Sequence, residues 1–335
     1  MDVHTLLSQS IVIDSHLDLL YDVALKRRQG RRQVILDDYL ADWQAGYVNC
    51  VVSSIYCDEG SDYLSEALKQ IAVFEEEIAE SKGEFFLATC AKDIRHAHAT
   101  GKVAIMLAFE GVEPLMGEVG FLRVFHKLGV RMVGLCWSRS NWAADGCRFA
   151  DFEYTGYGIT EKGQHLLSLA KELNMLIDIS HTNEIGFWQV VKGSTQPVLA
   201  SHSNCRAISN TPRNLDDKQI AAIAQSGGYI GINGVNLVAL FQDKKNATIA
   251  TLVNHMRHIR EVAGTAACLG IGFDQCDRIN AELPDELNEG VFDIMPNHTQ
   301  LPDLVDALLQ SDFSEEEIQG ILGGNFLRVL DLYSD

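Results

Sequence analysis

Residues 11–20 read IVIDSHLDLL. A short β-rich apolar run at 11–14 ends in a knot of polar side chains, Asp14, Ser15, His16 and Asp18, before apolar residues resume. An open, doubly wound nucleotide-binding sheet would carry a Gly-rich phosphate turn after its first strand. Here that place holds carboxylates and a histidine. Seven more β-rich runs follow, at 48–56, 103–109, 131–137, 175–180, 197–201, 229–233 and 268–273. They are continuously apolar rather than alternating, the pattern of parallel strands buried on both faces. Segments of helical periodicity separate them, at 65–81, 160–174, 216–227 and 251–264. The first two open near Ser or Thr and carry acid in their early turns, as helix N-termini do. Eight strands alternating with helices is the count that closes a barrel. The sequence therefore predicts an α/β fold, a (β/α)8 TIM barrel with a C-terminal helical tail at 303–310 and 315–333.

Composition agrees with such a fold and narrows its uses. The chain has 335 residues, 47% of them hydrophobic, enough to fill a large core. No Pro-rich linker or low-complexity tract divides it, so residues 1–335 are read as one barrel domain. Its 27 basic and 46 acidic side chains give a net charge of −19. That charge disfavours nucleic acid and anionic membrane as partners, since both need a basic face. No apolar stretch reaches the roughly 18 residues of a membrane span. The N-terminus carries acid where a secretory leader would be basic, so a cytoplasmic location is expected. The eight cysteines include no C-x-x-C pair and read as buried free thiols. Cys205 lies beside a chemically loaded segment, but packing is its expected role.

In barrels of this type the chemistry sits where the strands end. The first strand ends at His16 and Asp18, the third at Glu110, the fifth at His181, the sixth at His202 and the eighth at Asp274. Each residue alone has an ordinary reading as a turn acid or a packed histidine. Their joint placement on five strand ends is what calls for a chemical one. Imidazole and carboxylate without thiolate suit zinc or, less selectively, manganese or iron. Five ligands exceed one catalytic zinc and fit two metals about 3.5–4 Å apart with one carboxylate bridging. Glu110 is the natural bridge, His16 and Asp18 grip the first metal, and His181 and His202 hold the second. Asp14 is read as a support that orients a histidine ligand. The His-Ala-His at 96–98 and the H-x-x-H at 255–258 fall away from the strand ends and are expected to pack locally or face solvent.

These residues, with their neighbours, resemble the membrane dipeptidase (renal dipeptidase) family of zinc peptidases. The resemblance rests on D14-S-H-L-D18, F109-E-G111, D178-I-S-H181, S201-H-S203 with R213-N214, G270-I-G-F-D274 and G323-G-N-F-L-R-V329, in family order along nearly the whole chain. It implies an amidohydrolase-type barrel binding two Zn2+ ions, with the five ligands named above. It implies that Glu110 and Asp274 act in catalysis, Asp274 as the acid that serves the leaving amine. It places the substrate-carboxylate arginine on Arg213, and implies dipeptide substrates with a free N-terminus, often with a D-residue at the C-terminal position. A homodimer is expected by analogy.

Two positions depart from the family pattern. Where better-studied members have a histidine near the scissile carbonyl, this chain has Trp137 (Leu135-Cys136-Trp137), and after the seventh strand Asn233 is followed by Gly234-Val235 where they have aromatic residues. Trp137 and Asn233 are thus expected to line the substrate pocket, with Trp137 either walling it or donating its indole N–H to an oxyanion. The changes leave the metal ligands intact and bear on substrate identity. The activity expected is dipeptide hydrolysis by a metal-activated hydroxide. The rivals are cleavage of another small amide such as an N-acyl amino acid, or a silent homologue that only binds.

Overall fold

The computed structural model describes residues 1–149, 151, 153–154, 156–281 and 290–333. Its strands are β1 (Val12–Leu17), β2 (Val48–Ile55), β3 (Phe85–Ala88), β4 (Val103–Glu110), β5 (Val130–Gly134), β6 (Leu176–Asp178), β7 (Leu199–Ala200), β8 (Tyr229–Ile232) and β9 (Leu269–Ile271). All pair in parallel. Around the barrel the order is β1, β2, β4, β5, β6, β7, β8, β9, and β9 closes onto β1 where Ile271 pairs with Asp14. These are the eight apolar runs of the sequence, and together they form the closed (β/α)8 barrel. The ninth strand, β3, was not foreseen. It pairs with Val103–Met106, the lower half of β4, while Leu107–Glu110 pairs with β5. Without it the lower half of β4 would present an open edge.

Side-chain parity decides which residues reach the barrel axis. Cys50 and Val52 on β2, and Ala104, Met106 and Ala108 on β4, pack in one cluster with Ile13, Met132, Leu176, Leu199 and Tyr229. Val51, Ile55, Ile105, Leu107 and Phe109 belong to the other cluster, which carries the apolar faces of the surrounding helices. Glu110 is in step with Ala104, Met106 and Ala108, so parity turns it inward at the upper end of β4.

The helices begin where side chains satisfy their first N–H groups. Asp62 accepts from Ser65 N at 3.3 Å, which starts the helix Tyr63–Glu80 two residues before the periodicity suggested. Thr160 accepts from Gly163 N at 3.0 Å and opens Glu161–Glu172. At the C-terminus, Leu301–Leu309, Glu315–Gln319 and Asn325–Asp331 form the predicted helical tail, joined by a wide turn at Gly320–Gly324. This tail closes the floor of the barrel. Asn325 donates to the carbonyls of Ala266 (2.9 Å) and Leu269 (2.8 Å), and Phe326 meets the ring of Tyr229 edge-on at 5.3 Å. A Cβ on Gly323 would stand 2.4 Å from the Ile11 carbonyl oxygen, and one on Gly270 would stand 2.2 Å from the Tyr229 ring. Gly270 and the G323-G-N-F326 motif thus carry the close packing of the floor, at the opposite end from the chemistry.

Candidate metal centre

The strand ends bring together every residue named as a ligand. His16 extends from β1 with Asp18 just beyond it, Glu110 ends β4, His181 follows β6, His202 follows β7 and Asp274 follows β9. The Glu110 Oε1 oxygen lies 3.0 Å from His181 Nε2, 3.6 Å from His202 Nε2 and 3.7 Å from His16 Nε2. The Nε2 atoms of His181 and His202 are 2.9 Å apart. Ligand atoms of His16, Asp18 and Glu110 lie within 4.8 Å of one another, as do those of Glu110, His181 and His202. Glu110 is common to both groups, the place a bridging carboxylate would take. A third group joins His16, His202 and Asp274, whose Oδ1 is 3.7 Å from His16 Nε2.

Physical chemistry asks for a cation here. Burial first, and the Arg213 charge second, push the His16 imidazole down to about 3, and burial drives His181 and His202 down as well. All three rings are therefore neutral, and their Nε2 atoms crowd one another and the Glu110 carboxyl. His16 Nε2 is buried without a hydrogen-bond partner among the described residues. The acids are stressed in the opposite sense. Burial and the nearby Asp18 raise Glu110 well above the carboxylate range and bring Asp274 up to about 8, and burial raises Asp18 itself. Inward-pointing lone pairs and carboxylates that resist ionisation are costly in a buried site. Divalent cations relieve both, since they neutralise the acids and accept the nitrogen lone pairs. The nitrogen–oxygen donor set, free of thiolate, fits such ions.

A ring of supporting groups fixes these side chains, and most of it was not evident in sequence. Ser201 Oγ lies 2.7 Å from His202 Nδ1 and donates to Asp178 Oδ2 at 2.5 Å, so Nδ1 carries the proton and Nε2 stays bare. Ser138 Oγ lies 2.7 Å from His181 Nδ1 in the same role. Ser54 hydrogen-bonds Asp18 Oδ1. Asp14, expected to orient a histidine ligand, holds His16 through its backbone N–H (3.2 Å), accepts that of Phe273 as well (3.0 Å), and its other oxygen meets His298 Nε2 at 2.8 Å. Asp178 does likewise for Ser180 N (3.0 Å) and Ser201 N (2.9 Å), replacing ladder bonds where β6 and β7 stop. The recurring signal was an Asp two or three residues before a rim histidine. His181 (φ 66°) and Asp274 (φ 57°) sit in the left-handed region, a strain of about 1–3 kcal/mol each. Hydrogen bonds from Cys147 N to the His181 carbonyl (2.6 Å) and from Asp274 N to the His16 carbonyl (3.1 Å) hold them there.

The residues expected to meet substrate surround the same centre. Arg213 is buried, and its Nη1 donates to Ser203 Oγ (2.8 Å) and its Nη2 to the His202 carbonyl (2.8 Å), 3.1 Å from His181 Nε2. Its Nε has no hydrogen-bond partner among the described residues. Trp137 stands with its ring centroid 5.8 Å from that of His181. Asn233 donates from Nδ2 to Asp274 Oδ2 at 2.8 Å and accepts Val235 N on Oδ1 at 2.8 Å. Both ends of its amide are engaged, so Asn233 reaches the centre through Asp274. The two discounted histidine motifs lie elsewhere. His255 is buried against Cys205 Sγ (3.0 Å) and the Ala239 carbonyl (2.7 Å), and burial pushes the Cys205 thiol up to about 12, as a packed cysteine should be. His98 meets Asn49 and His258 meets Asp217.

A closed parallel barrel whose upper rim gathers three imidazoles and several carboxylates defines a metal-dependent hydrolase of the amidohydrolase type. The chain belongs to the membrane dipeptidase family (Peptidase family M19), which it matches over residues 1–333. It is 32% identical over 267 residues to an uncharacterized protein of Klebsiella pneumoniae, covering 78% of this chain and 94% of that one. It is 31% identical over 265 residues to human dipeptidase 3, covering 78% of this chain and 51% of that one. Among solved structures it resembles a metallo peptidase from Rhodobacter sphaeroides liganded with a phosphinate mimic of the dipeptide L-Ala-D-Ala. The TM-score is 0.84 at 25% identity, covering 96% of this chain and 99% of that chain. Among the described residues no helix is long and apolar enough to cross a membrane.

Proposed function

We propose that this chain is a zinc-dependent dipeptidase that hydrolyses the peptide bond of small dipeptides, including those with a D-residue at the C-terminal position. The observation that carries the reading is the convergence of His16, His181 and His202 Nε2 on one Glu110 oxygen, at 3.7, 3.0 and 3.6 Å. In this reading His16, Asp18 and Glu110 hold one zinc and Glu110, His181 and His202 a second. When bound, such ions supply a water acidified toward neutral pH and polarise the scissile carbonyl. The similarity to a peptidase that holds an L-Ala-D-Ala mimic supports both the dipeptide and the D-residue.

The protein's own groups do the rest. Asp274, aimed by Asn233, carries the proton to the departing amine. Arg213 is held by Ser203 and the His202 carbonyl, and its guanidinium orients a substrate carboxylate, supplying position more than rate. The strained turns at His181 and Asp274 keep both side chains aimed before substrate arrives. The test is the metal content of the purified protein together with hydrolysis of an L,L- and L,D-dipeptide panel before and after chelation. About two zinc ions per chain and chelator-sensitive cleavage are expected. Two metals with cleavage of N-acyl amino acids alone would shift the reading to another amide. Metal with no turnover on any amide would make the chain a binding homologue, and no metal after reconstitution would end the proposal.

A further inference from the structure

Beside the metal ligands, the mouth of the barrel holds a group whose construction has no role in metal binding. Arg139, in the loop after β5, is largely buried and spends all three guanidinium nitrogens. Its Nε donates to Glu113 Oε1 (3.1 Å), its Nη1 to Tyr56 Oη (3.0 Å) and its Nη2 to the Cys57 carbonyl (2.7 Å). Those acceptors come from the loops after β4 and β2, so one side chain ties three rim loops together. Glu113 is held in turn by Asn141 Nδ2 at 3.2 Å. The Arg139 guanidinium also lies over two rings, with its carbon 5.3 Å from the Tyr56 centroid and 5.5 Å from that of Trp137. Tyr56 meets Trp137 edge-on at 5.7 Å. The indole is thus gripped on one side by Arg139 and Tyr56 and tilted toward His181 on the other. Its N–H has no acceptor among the described residues and is not buried. An indole N–H without a protein acceptor among the described residues, on a ring held from two sides and packed beside His181, is a donor available to a ligand.

Resting on the dipeptidase reading, we propose that Arg139 is a positioning residue that holds the Trp137 indole so that its N–H donates to the scissile carbonyl oxygen of the substrate. The donor strengthens as that oxygen gains charge, so the effect falls on turnover more than on affinity. Lysine at 139 keeps the charge but cannot span three acceptors while stacking on two rings.

The test is a double-mutant cycle on the zinc-loaded enzyme: wild type, Trp137→Phe, Arg139→Lys and the double variant. A cleaved dipeptide is the substrate, and zinc content and circular dichroism are checked for each. Trp137→Phe is expected to lower kcat by about 10–100-fold while KM changes little. Arg139→Lys lowers kcat to a lesser degree, and the double variant is no slower than Trp137→Phe alone, because Arg139 acts through the indole. Wild-type kcat in Trp137→Phe, a change in KM alone, or two effects that multiply independently would each overturn the proposal. If wild type cleaves no dipeptide, the functional reading fails by itself. The cycle is then read by calorimetric affinity for a phosphinate dipeptide mimic, whose tetrahedral oxygen takes the carbonyl's place. Weaker binding to Trp137→Phe, with no further loss in the double variant, upholds the donor. Unchanged binding overturns it.

Discussion

At the floor of the barrel, Tyr229 and Asn325 spend hydrogen bonds on the carbonyls of Ile271, Ala266 and Leu269, the Tyr229 ring fills the space that Gly270 leaves open, and Phe326 packs edge-on against that ring. At the rim of the same strands, three neutral imidazoles and the acids Asp18, Glu110 and Asp274, which resist ionisation, crowd one buried space. The floor is a packing problem solved within the chain. The rim is an electrostatic problem that the chain leaves to a ligand. Stability and chemistry have been assigned to opposite ends, as barrel architecture allows. The division means that a substitution at one end should leave the other end's property nearly untouched.

The sharpest way to break that division is Glu110→Gln. It removes the carboxylate shared by both ligand groups, and hydrolysis should fall on the order of 10³-fold with zinc content lowered at both positions. The metal-free fold should lose nothing, since a buried acid is exchanged for a neutral amide. A metal-free variant markedly less stable than the metal-free parent would show that the rim also bears structural load. At the other end, Phe326→Ala should cost about 3–5 kcal/mol, read from the denaturant midpoint, while kcat per folded molecule stays at the parent value. A fall in kcat would mean that floor and rim are coupled.

Smaller effects sharpen the comparison. Ser201→Ala cuts the link from Asp178 to His202 and should weaken zinc binding about 10–100-fold, measured by competition with a chelator, with little change in unfolding. The gentlest effect is a slope with pH. In the metal-free chain Asp274 sits at about 8 and Glu110 is raised, so the folded state binds protons that the unfolded acids release above their ordinary range. Their contribution to stability is present at low pH and is lost as pH rises, for Asp274 through about 8. The depressed histidines act in the opposite sense, contributing stability above their ordinary 6.5 and losing it as pH falls, with His16 at about 3. Zinc replaces the carboxylate protons, so the melting-temperature gap between zinc-loaded and zinc-free protein should widen from pH 5 to pH 8. A gap that narrows over that range would mean the metal is held elsewhere.

How legible this was depended on distance along the chain. Glu110 was legible because it is the first polar residue after the unbroken apolar run 103–109. His16 and Asp18 were legible because they stand two residues apart after the first apolar run. Ser138 was not, because it meets His181 across 43 residues, and His298 finds Asp14 across 284. β3 escaped notice because four apolar residues carry too little pattern to tell a strand from a loop.

The sequence by itself determined the alternation of strands and helices, the residues that end each strand, and the family motifs that run through them. Those are local properties, written by periodicity and by residue type at one position. Only the tertiary structure decided that three Nε2 atoms converge on one Glu110 oxygen, that Asn233 reaches the centre through Asp274, and that Arg139 binds three loops beneath a free indole N–H. Each of these follows from closing the sheet into a barrel, which brings distant strand ends within hydrogen-bonding range. No local pattern can encode that.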